Sequence, residues 1–231
     1  MAGPSTVLLS ITAVILLLTT IFIRLLYILP STNPTRPPPR KRNTPTRVLI
    51  VLGSGGHTAE MFALLHNLNL ISYGHRSYVV SAGDDFSAGK ARDYEASIDG
   101  ENYDIMIVPR ARKIHQPLWT TPVSALECLL ACFRILYSCP DSKGPRYPDL
   151  ILMNGPGTAV CVALAALAIR FFGLPGSLGM MRTIYVESFA RVKNLSLSGR
   201  LLVPVVDRFI VQWEALKQYG RRVEYLGVLV A

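Results

Sequence analysis

Hydrophobic positions along the chain fall into two regimes. From Val7 to Leu29 the sequence reads VLLSITAVILLLTTIFIRLLYIL, 23 residues interrupted by a single charge, Arg24. About 20 apolar residues cover a hydrocarbon core of roughly 30 Å, and an Arg near a helix end can snorkel to the interface, so this stretch predicts a transmembrane helix. A cleaved signal peptide would show a positive n-region, a shorter core and a small-residue cleavage site; here MAGPST has no charged side chain and PSTNPT follows the core. From Arg47 onward, short apolar runs alternate with longer segments of helical period. The runs at 47–52, 76–81, 104–108, 149–153, 183–187, 208–212 and 223–226 predict strands, and 57–71, 85–97, 117–138, 158–172, 197–206 and 213–220 predict helices. Such alternation predicts an α/β domain with a single Rossmann-like, doubly wound parallel sheet over residues 47–231, long enough to enclose one core.

Two of the helical segments raise a membrane question. Val160 to Phe172 is nearly all apolar except Arg170, but its 13 residues give only about 20 Å of helix, too short to span. Val123 to Tyr137 is apolar on most faces, with Glu127 and Arg134 interrupting it. Burial between the sheet and a partner is the first expectation for both, and a place in the bilayer interface the second.

Composition narrows the class. Half of the 231 residues are hydrophobic and 17% are charged, which excludes a disordered, collagen-like or disulfide-stapled chain. The net charge of +9 is concentrated near the start. Residues 1–47 hold six basic residues (Arg24, Arg36, Arg40, Lys41, Arg42 and Arg47) and no acidic one. The folded part is therefore only mildly basic, which removes support for nucleic acid as a partner. Basic residues just after a span stay cytosolic, so the expected topology is a short lumenal N-terminus (1–6), an anchor (7–29), a Pro/Arg-rich linker (30–46) and a cytosolic domain (47–231). The linker has six prolines and favours an extended, solvated conformation, while its cations suit anionic head groups. Cys128, Cys132, Cys139 and Cys161 lie in apolar surroundings without a C-x-x-C pair and read as buried, reduced thiols.

Candidate chemistry sits at strand ends. The first strand runs into Gly53-Ser54-Gly55-Gly56-His57-Thr58, a glycine-rich turn opening a helix, where backbone N–H groups and the helix dipole can receive an anion. It is neither the dinucleotide fingerprint, which would need glycine at Thr58, nor a P-loop. His57 follows at once; it either packs as a capping residue, takes a proton from a sugar hydroxyl or bonds a phosphate. A second turn, Asn154-Gly155-Pro156-Gly157-Thr158, repeats the arrangement after the strand at 149–153. Two such turns converge on the edge where open α/β sheets bind ligands. Arg110 and Arg112 alternate in the segment Val108 to Lys113 and suit phosphate oxygens if they are more than a solvated loop. Glu187 ends another strand and is a candidate base or sugar-hydroxyl acceptor, or else a cap or a partner for Arg191. Asp84 and Asp85 read first as an N-cap pair. No metal-ligand spacing or cofactor motif is visible, and no cofactor is expected.

GSGGHT, PRAR, LILMNGPGT, YVESFARV, LSLSGRLL, FIVQW and YLG together resemble the membrane-anchoring subunit family of the eukaryotic UDP-N-acetylglucosamine transferase of the dolichol pathway. The resemblance runs over 47–231 and extends to the acceptor half of the bacterial transferase that makes lipid II. It implies one lobe of a split GT-B glycosyltransferase that adds a second N-acetylglucosamine in β-1,4 linkage to dolichol-diphosphate-linked N-acetylglucosamine. This chain would anchor the enzyme in the endoplasmic reticulum membrane, and the nuclear membrane continuous with it, and recruit a soluble donor-binding catalytic subunit. It implies an acceptor site around Gly53, Ser54, Gly55, Gly56, Thr58, Arg110, Arg112, Asn154, Gly155, Gly157 and Thr158, with His57 and Glu187 catalytic. The uncharged end of the chain, Tyr225 to Ala231, either completes the core of this domain or, as the break at Gly227 favours, docks the partner through Leu226, Gly227, Val228, Leu229, Val230 and Ala231. A pure recruitment anchor and a self-sufficient membrane-tethered nucleotide-binding enzyme are the other readings.

Overall fold

The structure is a computed structural model and describes residues 4–30, 32, 46–66, 73–113, 116–137, 147–177 and 179–230. Nearly all of the expected linker, Cys139, Ala231 and the end of the helix predicted at 57–71 lie outside the described residues.

Helix α1 (Pro4–Ile28) is followed by seven strands, β1 (Arg47–Val51), β2 (His75–Ser81), β3 (Tyr103–Val108), β4 (Leu150–Asn154), β5 (Arg182–Val186), β6 (Arg208–Val211) and β7 (Val223–Tyr225). All neighbours pair in parallel, in the order β3-β2-β1-β4-β5-β6-β7. The intervening helices are α2 (Gly56–His66), α3 (Asp85–Ser97), α4 (Thr121–Tyr137), α5 (Thr158–Phe172) and α6 (Leu197–Leu202). Short 3-10 turns at Leu118–Thr120 and Glu214–Tyr219 replace the start of the helix predicted at 117–138 and the whole of that predicted at 213–220.

The sheet is buried on both faces, which is why its strands read as unbroken apolar runs. In β1, Leu49 and Val51 point into the layer formed with α4, α5 and α6, while Val48 and Ile50 point into the layer formed with α2 and α3. Local signals place the helix ends. Asp84 caps α3 by accepting from the Ser87 backbone N–H at 3.2 Å, as its N-cap reading required. Gly173, in a left-handed conformation, terminates α5.

Helix α5 is a core helix, with seven buried residues between Ala159 and Ile169. Helix α4 buries Ser124, Cys128, Cys132 and Leu136 against the lobe and leaves its other face exposed, so within this chain burial is met for α5 and on one face only for α4. Cys128, Cys132 and Cys161 pack between these two helices as free thiols. The Cys128 thiol is pushed up to about 12, by its contact with Cys132 and then by burial, and is unreactive at neutral pH.

Arg24 does not reach for lipid. Its Nε donates to the Phe171 carbonyl at 3.0 Å and its Nη2 to the Arg170 carbonyl at 3.2 Å, so the end of α1 caps the C-terminus of α5. The residues of α1 from Val7 to Ile23 stay exposed.

At the edge of the sheet away from the glycine turns, Arg76 and Glu95 form a buried bidentate pair at 2.6 and 2.7 Å, and the Tyr78 hydroxyl donates to the same carboxylate at 2.6 Å. Burial and that carboxylate push the Tyr78 phenol up, keeping it a donor. Glu95→Ala strands the Arg76 charge and is expected to cost about 3–5 kcal/mol in a denaturant titration of the detergent-solubilised chain.

Candidate functional site

Strand order reverses between β1 and β4. Their following helices leave to opposite faces, α2 to one and α5 to the other, and a crevice opens between them. Both glycine-rich turns predicted from the sequence border it. The cleft has a volume of about 420 Å³, and its walls include Gly53 and Ser54 from the first turn, Asn154, Gly157 and Thr158 from the second, and the basic segment Arg110 to Lys113.

Three features give the cleft anion character. Helix α5 has Gly157 as an N-cap without a side-chain cap, and although the Ala159 N–H donates to the Pro156 carbonyl at 2.9 Å, the positive end of the helix borders the cleft. Arg110 and Arg112 share the wall, as their alternation suggested, but both spend donors on the backbone. Arg110 bonds the Ala82 and Gly83 carbonyls at 2.9 and 3.2 Å, and Arg112 bonds the Gln116 carbonyl at 3.3 and 3.1 Å. Lys113 adds a third cation to the wall.

His57 is not in the cleft wall; it stands at the rim, packed against the wall residue Gly53. A Cβ on Gly53 would lie 2.6 Å from the His57 Cβ, and one on Gly155 would lie 3.3 Å from its Cγ, so the imidazole is wedged between the two turns. Gly53 is therefore required by close approach, and Gly55, at φ +63°, by backbone conformation.

The sequence reading missed Glu60. One turn beyond His57 on α2, its Oε2 lies 3.3 Å from His57 Nδ1 and accepts from Asn154 Nδ2 at 2.9 Å, while its Oε1 accepts from the Ser188 hydroxyl at 2.8 Å. The signal was present as His-x-x-Glu, a spacing that puts both side chains on one helical face. With Glu60 accepting at Nδ1, the neutral ring presents Nε2 as an acceptor. Asn154, 1% exposed, is left with its Oδ1 unpartnered in the cleft wall. The Tyr185 hydroxyl donates to the Gly155 carbonyl and steadies the second turn.

Two expected site residues are placed elsewhere. Thr58 is fully buried: its hydroxyl donates to the Gly53 carbonyl and meets the Ser87 hydroxyl at 2.6 Å, so it ties α2 to α3 and faces no ligand. Glu187 is 1% exposed and accepts from the Ser188 N–H, the Ser196 N–H and the Ser196 hydroxyl at 3.0–3.1 Å. It is absent from the cleft wall; its carboxylate closes the loop between β5 and α6, the capping alternative rather than the base.

The end of the chain divides. Gly227, at φ +83°, turns it away from β7; the Leu229 N–H donates to Gln212 Oε1 and its side chain packs on the core layer of α2 and α3. Tyr225, Leu226 and Val228 remain 40–51% exposed.

This architecture, a single parallel sheet with helices on both faces, resembles one lobe of the GT-B fold. It is similar to Acinetobacter baumannii MurG with a TM-score of 0.51 and 15% identity, covering 80% of this chain and 45% of MurG, so the chain spans less than half the length of that protein. A family model described as "Oligosaccharide biosynthesis protein Alg14 like" matches residues 48–229, and the chain belongs to this family. It is 42% identical to the UDP-N-acetylglucosamine transferase subunit ALG14 of Cryptococcus neoformans, over 88% of this chain and 89% of that one. It is 41% identical to the Schizosaccharomyces pombe subunit alg14, over 82% and 86%.

The turn geometry separates three neighbouring glycines. Gly55→Ala is expected to lose about 1–2 kcal/mol to left-handed strain, and Gly53→Ala about 1–3 kcal/mol or more through the clash with His57. Gly56→Ala, with open space around its Cβ, is expected to change stability by no more than about 1 kcal/mol. Denaturant midpoints of the three variants check the order.

Proposed function

We propose that this chain is the acceptor-side, membrane-anchoring subunit of a two-subunit UDP-N-acetylglucosamine transferase. In this reading it acts on dolichol-diphosphate-linked N-acetylglucosamine, adding the second sugar in β-1,4 linkage at the cytosolic face of the endoplasmic reticulum. The observation that carries the reading is the His57–Glu60 pair at the rim of an anion-suited cleft, in a chain that forms a single GT-B-type lobe. The names of its relatives and its family membership support the donor and the subunit role.

The chemistry follows from the placement. The acceptor diphosphate occupies the cleft against the α5 N-terminus, with Ser54, Arg112 and Lys113 around it. The sugar beyond the diphosphate then reaches the rim, where His57 Nε2 takes the proton from its attacking hydroxyl. Glu60 fixes the ring and stabilises the imidazolium that forms. Attack on the anomeric carbon expels UDP, whose developing charge is neutralised by the donor-binding subunit. Helix α1, whose Val7–Ile28 stretch is long and apolar enough to cross a bilayer, is the anchor, with its start in the lumen. Tyr225, Leu226 and Val228 are the exposed residues of the partner-docking tail, while Leu229 holds the tail to this lobe.

Three experiments test the reading. In the assembled enzyme, His57→Ala is expected to lower turnover by about 10²-fold or more and Glu60→Gln by about 10- to 100-fold, as for other residues that orient a reactive imidazole, both with assembly intact. Near-normal rates in both would leave a pure recruitment anchor. Leu226→Asp with Val228→Asp is expected to abolish co-purification with the soluble subunit while leaving thermal stability unchanged; retained binding would put the interface elsewhere. Protease added to sealed microsomes is expected to digest the domain from residue 47 onward, and protection would reverse the topology.

A further inference from the structure

The outward face of α4 is exposed. Trp119, in the 3-10 turn before α4, is 83% exposed, followed by Val123 at 66%, Leu126 at 54%, Leu130 at 53% and Tyr137 at 40%. Their spacings of four, three, four and seven residues set them in one stripe along a helix. The opposite face of the same helix packs on α5 and the sheet, so the stripe is a surplus apolar face rather than a core exposed by fraying. A soluble domain rarely leaves such a stripe in water.

Its neighbours identify what covers it. Helices α4 and α5 lie side by side on one face of the sheet and, as crossovers between parallel strands, run in the same direction. The end of α1 is bonded to the C-terminus of α5 through Arg24, beside Phe172, which is 70% exposed. Both ends of the stripe therefore have a membrane cue. Tyr137 lies at the end toward the anchor; at the other end Trp119 adjoins the basic segment, because Ser124 Oγ donates to the Ala111 carbonyl and Gln116 Nε2 donates to Thr120 Oγ1 and Ser124 Oγ. Arg112, Lys113 and Arg134 are exposed around the stripe, with Glu127 the acid at its margin. Aromatic ends, an apolar centre and a mainly basic border suit the boundary between head groups and acyl chains.

We infer that α4 lies in the surface of the bilayer that α1 crosses, with Trp119, Val123, Leu126 and Leu130 below the head groups. This rests on the reading of α1 as a span. Helix α4 is about 25 Å long, so the lobe lies on the membrane with the anchor near one end of α4 and the mouth of the cleft near the other. A lipid-linked diphosphate could then enter the cleft without its hydrocarbon leaving the bilayer.

The test uses the full chain in phosphatidylcholine/phosphatidylserine vesicles with acyl chains brominated near the carbonyl end. The two tryptophans are isolated as Trp213→Phe, which keeps Trp119, and Trp119→Phe, which keeps Trp213. Trp119 is expected to lose most of its emission relative to unbrominated vesicles, and Trp213 to lose none. Leu126→Asp with Leu130→Asp is expected to abolish the loss while the chain still resists carbonate extraction. An independent probe, a nitroxide on Leu130→Cys in a Cys139→Ser background, is expected to be more accessible to oxygen than to a water-soluble nickel chelate. Unquenched Trp119 and a chelate-accessible nitroxide in a carbonate-resistant chain would overturn the inference while sparing the span; quenching that persists in the double variant would also overturn it. Release of the chain by carbonate would overturn the span and the inference together.

Discussion

The candidate site depends on one carboxylate. Glu60 gathers a histidine from its own helix, an asparagine from the turn after β4 and a serine from the loop after β5. Parallel strands release their chains on both sides of the sheet, so nothing in the sheet itself holds the departing turns at a fixed spacing. Glu60 supplies that constraint across the point where strand order reverses. Its hydrogen bonds with Asn154 and Ser188 are part-buried, where an unmade bond costs more than in water, so the three loops are held as a unit. The wedging of His57 between Gly53 and Gly155 depends on this, since either turn moving away would release the ring.

The lobe carries a second constraint at its opposite edge. Arg24 belongs to the apolar helix, yet its guanidinium completes the end of α5 by taking two carbonyls that the helix itself cannot satisfy. A guanidinium bonded to the end of a core helix fixes one edge of the lobe to the apolar helix α1. Because α5 starts at the cleft and ends at Arg24, this helix is the rigid distance between the cleft and α1, about 22 Å for its 15 residues.

Most of the fold was legible because the sheet is parallel and buried on both faces, which turns each strand into an uninterrupted apolar run bounded by glycine, proline or charge. The ends shifted by a residue, and that shift mattered at Glu187. Read as the last residue of a strand it faces the ligand edge, but β5 stops at Val186 and Glu187 turns into the loop that Ser196 closes. Thr58 failed for a related reason: the sequence places it in the turn, and only packing shows its hydroxyl directed at Ser87 of the next helix. Glu60 was overlooked because its partners Asn154 and Ser188 are 94 and 128 residues away. The exposed face of α4 was hidden by composition, since a helix apolar on most sides has the same sequence whether protein or lipid covers it.

The basic wall of the cleft shows how such a site divides its work. A guanidinium that recognises phosphate by its fork must keep adjacent N–H groups free. Arg110 and Arg112 instead donate to main-chain carbonyls, holding the turn after β2 and the approach to α4. Their charge still reaches the cleft, but their geometry is committed to the protein. What needs no side chain is the positive end of α5, which comes fixed with the fold and loses no side-chain entropy on binding. Such a wall suits an anion through a steady field rather than through forked side-chain contacts. It has little to add as negative charge develops on a departing group, because none of its forks can swing in to meet that charge. In the proposed reaction this lobe positions the acceptor, and the electrostatic work on the leaving group falls to the proposed donor-binding subunit.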